Sequence, residues 1–412
     1  MDLVYPRCAG LDVHKATVVG CVRVPTPRRG HRQTETRTFA TTRRGLDELT
    51  AWLTSHGITH VAMESTGVYW RPVYAALEGP VQVLLVNARH VQMVPGRKTD
   101  VRDCEWLAQL LECGLLRGSF VSPAAVRDLR DLTRLRKALI RERGHHVNRI
   151  EKTLELASIK LGTVVTDLMG KTGRAILEAL SVGHDSPEHL ASFAQGSIRT
   201  RKQAALREAV TGRLTPHYAF LLQQHLSLIE ALDTHIAILD ARIEAAMAPF
   251  ADAAALVQTI PGVATRAAQA ILAETGVDMA PFPTAAHFAS WARVCPGLHE
   301  SAGKRQPTTT GQGAVWLRAT LQEVAWAAAR TKRSYYRALY HRLKGRRGAK
   351  KALVAVQHAL LIALWHMLKR RVPHHDLGAD YFDRRHTARL RRHHVRRLEQ
   401  LGYQVLLVEE AA

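Results

Sequence analysis

The chain has 412 residues, 46% of them hydrophobic, enough for about two or three globular domains, each with its own core. Lys and Arg number 58 against 36 Asp and Glu, a formal net charge of +22 with 22 His besides. So positive a field attracts polyanions, which makes nucleic acid the leading partner, argues against an ordinary small-molecule enzyme, and does not separate DNA from RNA. The five cysteines, Cys8, Cys21, Cys104, Cys113 and Cys295, form no Cys-x-x-Cys pair, and their odd number argues against a disulfide framework; they read as reduced thiols in a bacterial cytosol. No N-terminal stretch joins a basic region to a long apolar one. The most apolar late segment, Ala352 to Leu368, is interrupted by Gln357, His358 and His366, so neither a signal peptide nor a membrane span is expected.

In chain order, Cys8–Val13, Thr17–Val22 and Thr34–Phe39 read as strands, the last two separated by the Pro/Arg/Gly-rich turn Pro25–Gly30. Arg43–Ser55 reads as a helix, His60–Met63 as an apolar strand, the residues after Pro72 as a helix, Val81–Val86 as a strand, and a further helix begins near Asp100. Three meandering strands followed by helix, strand, helix, strand, helix is the element order of the RNase H-like α/β fold. From Val126 the signal is helical. Val126, Thr133, Ile140, Val147, Leu154 and Leu161 recur every seven residues, as do Leu222, Ile229, Ile236 and Ile243. Both stretches predict coiled-coil arms, which an ordinary bundle core would imitate, and the turns at Gly170–Gly173 and Gly183–Pro187 make an antiparallel hairpin or a helical insertion the simplest arrangement.

A compact all-α region follows from Ala253. Its opening, Leu256 to Val263 and then Ala267–Leu272, reads as a helix-hairpin-helix in which Pro261 ends one helix and Gly262 permits a tight turn. Such a turn can seat a DNA phosphate, although a plain helical turn has the same residues. The tail is basic, with seven arginines between Arg384 and Arg397, and Val405–Val408 reads as a short strand. The expected divisions are 1–124, 125–250, 251–370 and a tail over 371–412.

Metal-assisted phosphodiester chemistry needs hard oxygen ligands on rigid elements. Asp12 lies in the first strand within Gly10-Leu11-Asp12-Val13-His14-Lys15, where an unpaired charge would be costly. Glu64 ends the strand Val61-Ala62-Met63. The first and fourth strands of an RNase H-like sheet are neighbours, which brings the two together. Asp100 and Asp103, in Lys98-Thr99-Asp100-Val101-Arg102-Asp103, share one helical face about 5–6 Å apart at Cβ. Alone, that pair reads equally as a helix N-cap and a first-turn partner of the helix dipole; four carboxylates on three elements read as a Mg²⁺ or Mn²⁺ site. The pairs His145-His146, His374-His375 and His393-His394 lack ligand spacing and predict no second metal site.

The strings Gly10–Lys15, Met63–Trp70 and Lys98–Asp103, then Ile260-Pro261-Gly262 and His299-Glu300-Ser301-Ala302-Gly303-Lys304, together resemble the DEDD transposases of the insertion-sequence 110 family over about residues 7 to 370. Departures are Ala302, where the family has a second glycine, and Ala88, where Asn-Pro is usual. The resemblance implies a RuvC-like RNase H-fold domain whose acidic ligands fall on Asp12, Glu64, Asp100 and Asp103, and a helical transposase domain whose nucleophile falls on Ser301. It also implies a structured bridge RNA that pairs with donor and target DNA, and a dimer or tetramer. Read from residues alone, Ser301 sits in a polar loop bounded by Gly297, Gly303 and Gly311 beside Lys304 and Arg305, where a serine is ordinarily a turn residue. Ser290 and Ser334 are the alternatives. Lys98, Pro261, Gly262, Lys304 and Arg305 are the expected nucleic-acid contacts. The competing functions are a RuvC-like nuclease or junction resolvase using water as nucleophile, and an inactive nucleic-acid scaffold.

Overall fold

A computed structural model describes residues 3–26, 31–87, 103–295, 300–301, 303–305, 313–385 and 387–407. The chain separates into two compact units, Met1–Val121 and Ser122–Ala412.

The first unit is a five-stranded sheet with helices against it. Strands β1 (Cys8–Val13), β2 (Thr17–Pro25) and β3 (Arg32–Ala40) form an antiparallel meander, and β4 (His60–Glu64) and β5 (Gln82–Val86) add in parallel on the other side of β1, giving the order β3-β2-β1-β4-β5. β1 is central and buried on both faces except at Asp12, which is why it reads as an apolar run broken only there rather than as an alternation. One face packs helix α1 (Arg43–Ser55), capped by Thr42 whose side chain accepts from the Gly45 N–H, and its Leu46, Leu49 and Leu53 join Leu11, Val22, Val61 and Met63 in one core. Helix α2 (Trp70–Leu77) begins three residues earlier than expected, because Pro72 falls in its first turn, where a missing N–H loses no intrahelical bond. Helix α3 (Asp103–Glu112) covers the opposite face through Leu107, Leu110 and Leu111, against Cys8, Ala62 and Val86.

The second unit is helical. Two long helices, α4 (Ala124–Leu156) and α10 (Pro216–Met247), run antiparallel, pinned by ion pairs Arg136–Asp240 and Arg143–Asp233 and by a His146–His225 contact. All four heptad positions of α10, Leu222, Ile229, Ile236 and Ile243, are buried; on α4 Val126, Thr133 and Leu154 are buried, whereas Ile140 is exposed. The short helices α5 (Leu161–Val164), α6 (Lys171–Ser181), α7 (Pro187–Ser192), α8 (Gly196–Arg201) and α9 (Gln203–Val210) lie between them in sequence, and their apolar residues share a core with Ile150, Leu154 and Leu226. Next come α11 (Ala251–Gln258), α12 (Thr265–Thr275) and α13 (Ala285–Trp291), a two-stranded hairpin of β6 (Glu300–Ser301) and β7 (Lys304–Arg305), then α14 (Val315–Arg330), α15 (Tyr335–Arg347), α16 (Ala349–Arg370), α17 (Tyr381–Arg385) and α18 (Thr387–Gln400). By length and composition α16 is the one described helix apolar enough to cross a membrane, with half of its most apolar window buried within the protein. Its Leu353, Val356, Leu360 and Leu364 are buried, the pattern of a core helix. No strand forms at residues 405–407, contrary to the sequence expectation, whose last residue, Val408, lies outside the described residues; a short apolar run without a pairing partner does not make a ladder. All five cysteines are free.

Candidate active site

Three of the four expected carboxylates lie within the described residues, and the sheet and α3 bring them to one edge. β1 and β4 pair in parallel with Gly10 opposite Ala62 and Leu11 opposite Met63. One step further along the same register stand Asp12 and Glu64. Opposed residues of a parallel pair project to the same face, and Asp12 and Glu64 each follow by two residues a side of the sheet, Gly10 and Ala62, that faces α3.

Gly10 sets how closely that helix approaches. A Cβ there would lie 2.1 Å from the Cys104 carbonyl oxygen and 2.6 Å from the Ala108 nitrogen, so the backbones of α3 and β1 are in direct contact and any side chain would force them apart. The contacts also fix the helix direction. Cys8 donates its thiol to the Ala108 carbonyl at 3.5 Å, while Gly10 lies under Cys104, so moving two residues along the strand moves four back along the helix. Two residues further is Asp12, at the end where α3 begins with Asp103. Burial pushes the Cys104 thiol up to about 12, with the charges of Glu105 and Asp12 adding to the effect through proximity. Asp12 is 30% exposed and its Oδ2 lies 3.1 Å from His14 Nε2. Just after Glu64 the chain turns away, Ser65 donating to the Val86 carbonyl and Gly67 taking φ +54°. Asp100 and Lys98 lie outside the described residues.

The expected ligands here, Asp12, Glu64 and Asp103, offer carboxylate oxygens, the donors preferred by Mg²⁺ or Mn²⁺ over softer ions, with the His14 imidazole beside Asp12. Asp103 at the start of a helix, where the dipole favours negative charge, can carry its charge there at little cost. Among the described residues no three His, Cys, Asp or Glu side chains are close enough to enclose an ion. Asp12, Glu64 and Asp103 fit a hard cation by donor type, and Asp100, the remaining expected donor, lies outside the described residues.

In the second unit Ser301 is the last residue of β6, with Lys304 as its backbone partner across a two-residue turn. Gly303 in that turn has φ +73°, open to glycine at no steric penalty. The far end of the loop is tied to its near end: a Cβ at Gly313 would meet the Arg293 side chain at 2.6 Å and the Ala292 carbonyl at 2.9 Å, while Arg293 itself has φ +57°. Lys304 is exposed and Arg305 follows in β7. Of the alternative serines, Ser334 is buried as the N-cap of α15, its side chain accepting from the Arg337 N–H, so it is a structural cap. Ser290 lies within α13 and is exposed.

The Pro261-Gly262 turn is present, with Gly262 at φ +88° between α11 and α12. A Cβ at Gly262 would meet the Ala328 nitrogen at 2.7 Å and the Ala327 Cβ at 2.8 Å, so the glycine is required by its packing against α14 whether or not a phosphate is bound. Sequence reasoning missed two features. Gly10 was read only as part of a string, although a small residue two positions before Asp12 on a buried strand is the sign of a close backbone approach. Trp316, at the start of α14, lies under Arg134 and Arg141, each 5.9 Å from its ring, a cationic and aromatic surface whose residues are far apart in sequence.

A sheet of this order, with a central carboxylate strand and a covering helix, is that of the RNase H-like fold. The model of the DEDD transposase of IS110 elements matches residues 9–159, and the model of the transposase IS116/IS110/IS902 family matches residues 254–341, between them more than half of the chain. The chain belongs to the IS110 family of DEDD transposases. Among curated proteins, no relative matches it. Membership makes the chain an enzyme that cuts and rejoins DNA, and implies dependence on a divalent cation.

Proposed function

We propose that this transposase joins DNA strands through a covalent phosphoserine at Ser301, with Mg²⁺ held by Asp12, Glu64, Asp100 and Asp103. The observation that carries the reading is the convergence of Asp12, Glu64 and the Asp103 end of α3 under the close approach at Gly10. The Ser301 Oγ attacks a DNA phosphorus, the bond from phosphorus to a deoxyribose oxygen breaks, and the proton lost by Oγ is balanced by the one gained by the departing oxygen. Attack by the hydroxyl of another strand reverses these changes and rejoins DNA without an energy source. When bound, Mg²⁺ supplies Lewis-acid stabilisation of the charge on the phosphate oxygens. Lys304, the backbone partner of Ser301, and Arg305 supply further positive charge beside the reacting phosphate. Pro261, Gly262 and Lys98 are proposed DNA-backbone contacts.

The serine and the carboxylates lie in different units, so the mechanism requires them to meet within one chain or between protomers, with the long helices α4 and α10 acting as coiled-coil arms. The family resemblance supports a dimer or tetramer and a bridge RNA as the guide to donor and target. Denaturing gels with end-labelled DNA test the central step. Wild type should show a protein-linked strand that Ser301→Ala lacks while still binding DNA. Cut ends without an adduct, or normal recombination by Ser301→Ala, would replace this mechanism with hydrolysis by water.

A further inference from the structure

Beyond the transposition chemistry, the C-terminal part of the helical unit contains a cavity of about 440 Å³, within the range of sites that hold small organic ligands. Its walls come from the start of α15, the second half of α16 and the strap of residues 372–377, and include Tyr335, Tyr336, His358, His366 and His374. The strap is held in place: Asp376 accepts from the Tyr335 and Gly378 N–H groups at 2.8 Å, and the His374 N–H donates to Thr259 at 2.8 Å. Tyr335 is in turn stacked on Phe382 of α17, 5.4 Å between centroids. The cavity is therefore a built feature and not the gap under a loose segment.

Its chemistry is aromatic and neutral. Burial holds the His358 and His374 imidazoles below the usual range, so both are uncharged at neutral pH, and the Tyr336 hydroxyl is bound to His374 Nε2 at 2.9 Å. The buried Nδ1 of His366 has no hydrogen-bond partner among the described residues. No three of these histidines are placed to hold a metal ion among the described residues. Arg370, exposed at the end of α16, is the one Lys or Arg among the described lining residues. Flat rings, neutral donors and acceptors, and a single cation at the rim match a nucleobase with its phosphate outside; they do not match a phosphate inside. The chain that follows carries the nucleic acid's other requirement: α17 leads into α18, where Arg391, Arg392, Arg396 and Arg397 are exposed.

We infer that this cavity takes one unpaired nucleobase from the DNA on which the enzyme acts, the strand's phosphates lying on Arg370 and the basic C-terminal helix. The test compares a short oligothymidine strand with an abasic strand of the same length and charge, by fluorescence anisotropy on the full chain. Wild type should bind the thymidine strand roughly tenfold more tightly. Ala363→Phe, which fills the cavity from α16, should lose most of that preference and bind the abasic strand as wild type does. Should that variant not fold, His366→Ala, which removes a polar edge without adding bulk, should weaken only the thymidine strand. Equal binding of both strands by wild type, or full preference retained by the variant that folds, overturns the inference. An oligouridine strand that binds more tightly than oligothymidine overturns the assignment to DNA.

Discussion

Helix α3 carries a carboxylate at each end, and the protein treats the two ends oppositely. At the C-terminal end Glu112 is buried to 3% exposure, where the helix dipole disfavours negative charge, and Arg23 at 2.9 Å and Arg32 close upon its carboxylate. At the N-terminal end Asp103 has the dipole in its favour, and across the Gly10 contact lies Asp12, 30% exposed with a histidine beside it. One end is a sealed clamp that ties β2 and β3 to the helix; the other is an accessible edge at which negative charge gathers. A carboxylate's residue type therefore says little about its role. Its access to solvent, its place on the helix and the permanence of its counter-charge distinguish structure from chemistry.

The comparison is broken most severely by exchanging charge at each end. Asp12→Asn should lower DNA strand cleavage by about 10³-fold or more, since a lost ligand charge removes several kcal/mol of transition-state stabilisation, while the melting temperature is unchanged. Cleavage at the wild-type rate would show that the open end is not the catalytic one. Glu112→Gln should do the reverse, destabilising the first unit by about 3 kcal/mol in a denaturant titration because two half-buried arginines lose their counter-charge. The folded fraction should still cleave. Gly10→Ala tests the link between the ends: its Cβ would meet helix backbone, so about 1–3 kcal/mol of stability should go, together with cleavage activity as α3 is pushed off β1. Stability lost with cleavage per folded molecule intact would uncouple the helix position from the site.

The smallest effect extends the logic to a half-buried histidine. Burial, with His146 and Arg149 nearby, holds His225 below its ordinary 6.5. A folded state that binds protons less readily than the unfolded chain has its full stability above pH 6.5 and loses it as the pH falls through that window. The melting temperature should therefore drop as pH falls below neutrality, and His225→Gln should flatten part of that drop. Identical slopes for the two proteins would remove His225 as a contributor.

Much of this was legible in the residues. The strands were read at or within a few residues of their bounds, and α1 at its bounds, because alternation, turn residues and helix caps are local signals. Asp12, Glu64 and Asp103 stand on the elements that the strand and helix pattern predicts for them. The differences have local causes as well: Pro72 marks the first turn of its helix and not the residue before it, and the apolar run 405–407 has no neighbouring strand to pair with. What the sequence determined by itself was the order of elements, the positive field and the residue types available for chemistry, all of which depend on neighbours within a few positions. Only the tertiary structure decided that Asp12 stands one register step from Glu64, that a backbone contact at Gly10 aims the start of α3 at them, and that Glu112 is enclosed by Arg23 and Arg32. Register, helix direction and burial are set by contacts between residues about 50 to 100 positions apart, whose energies no local pattern encodes.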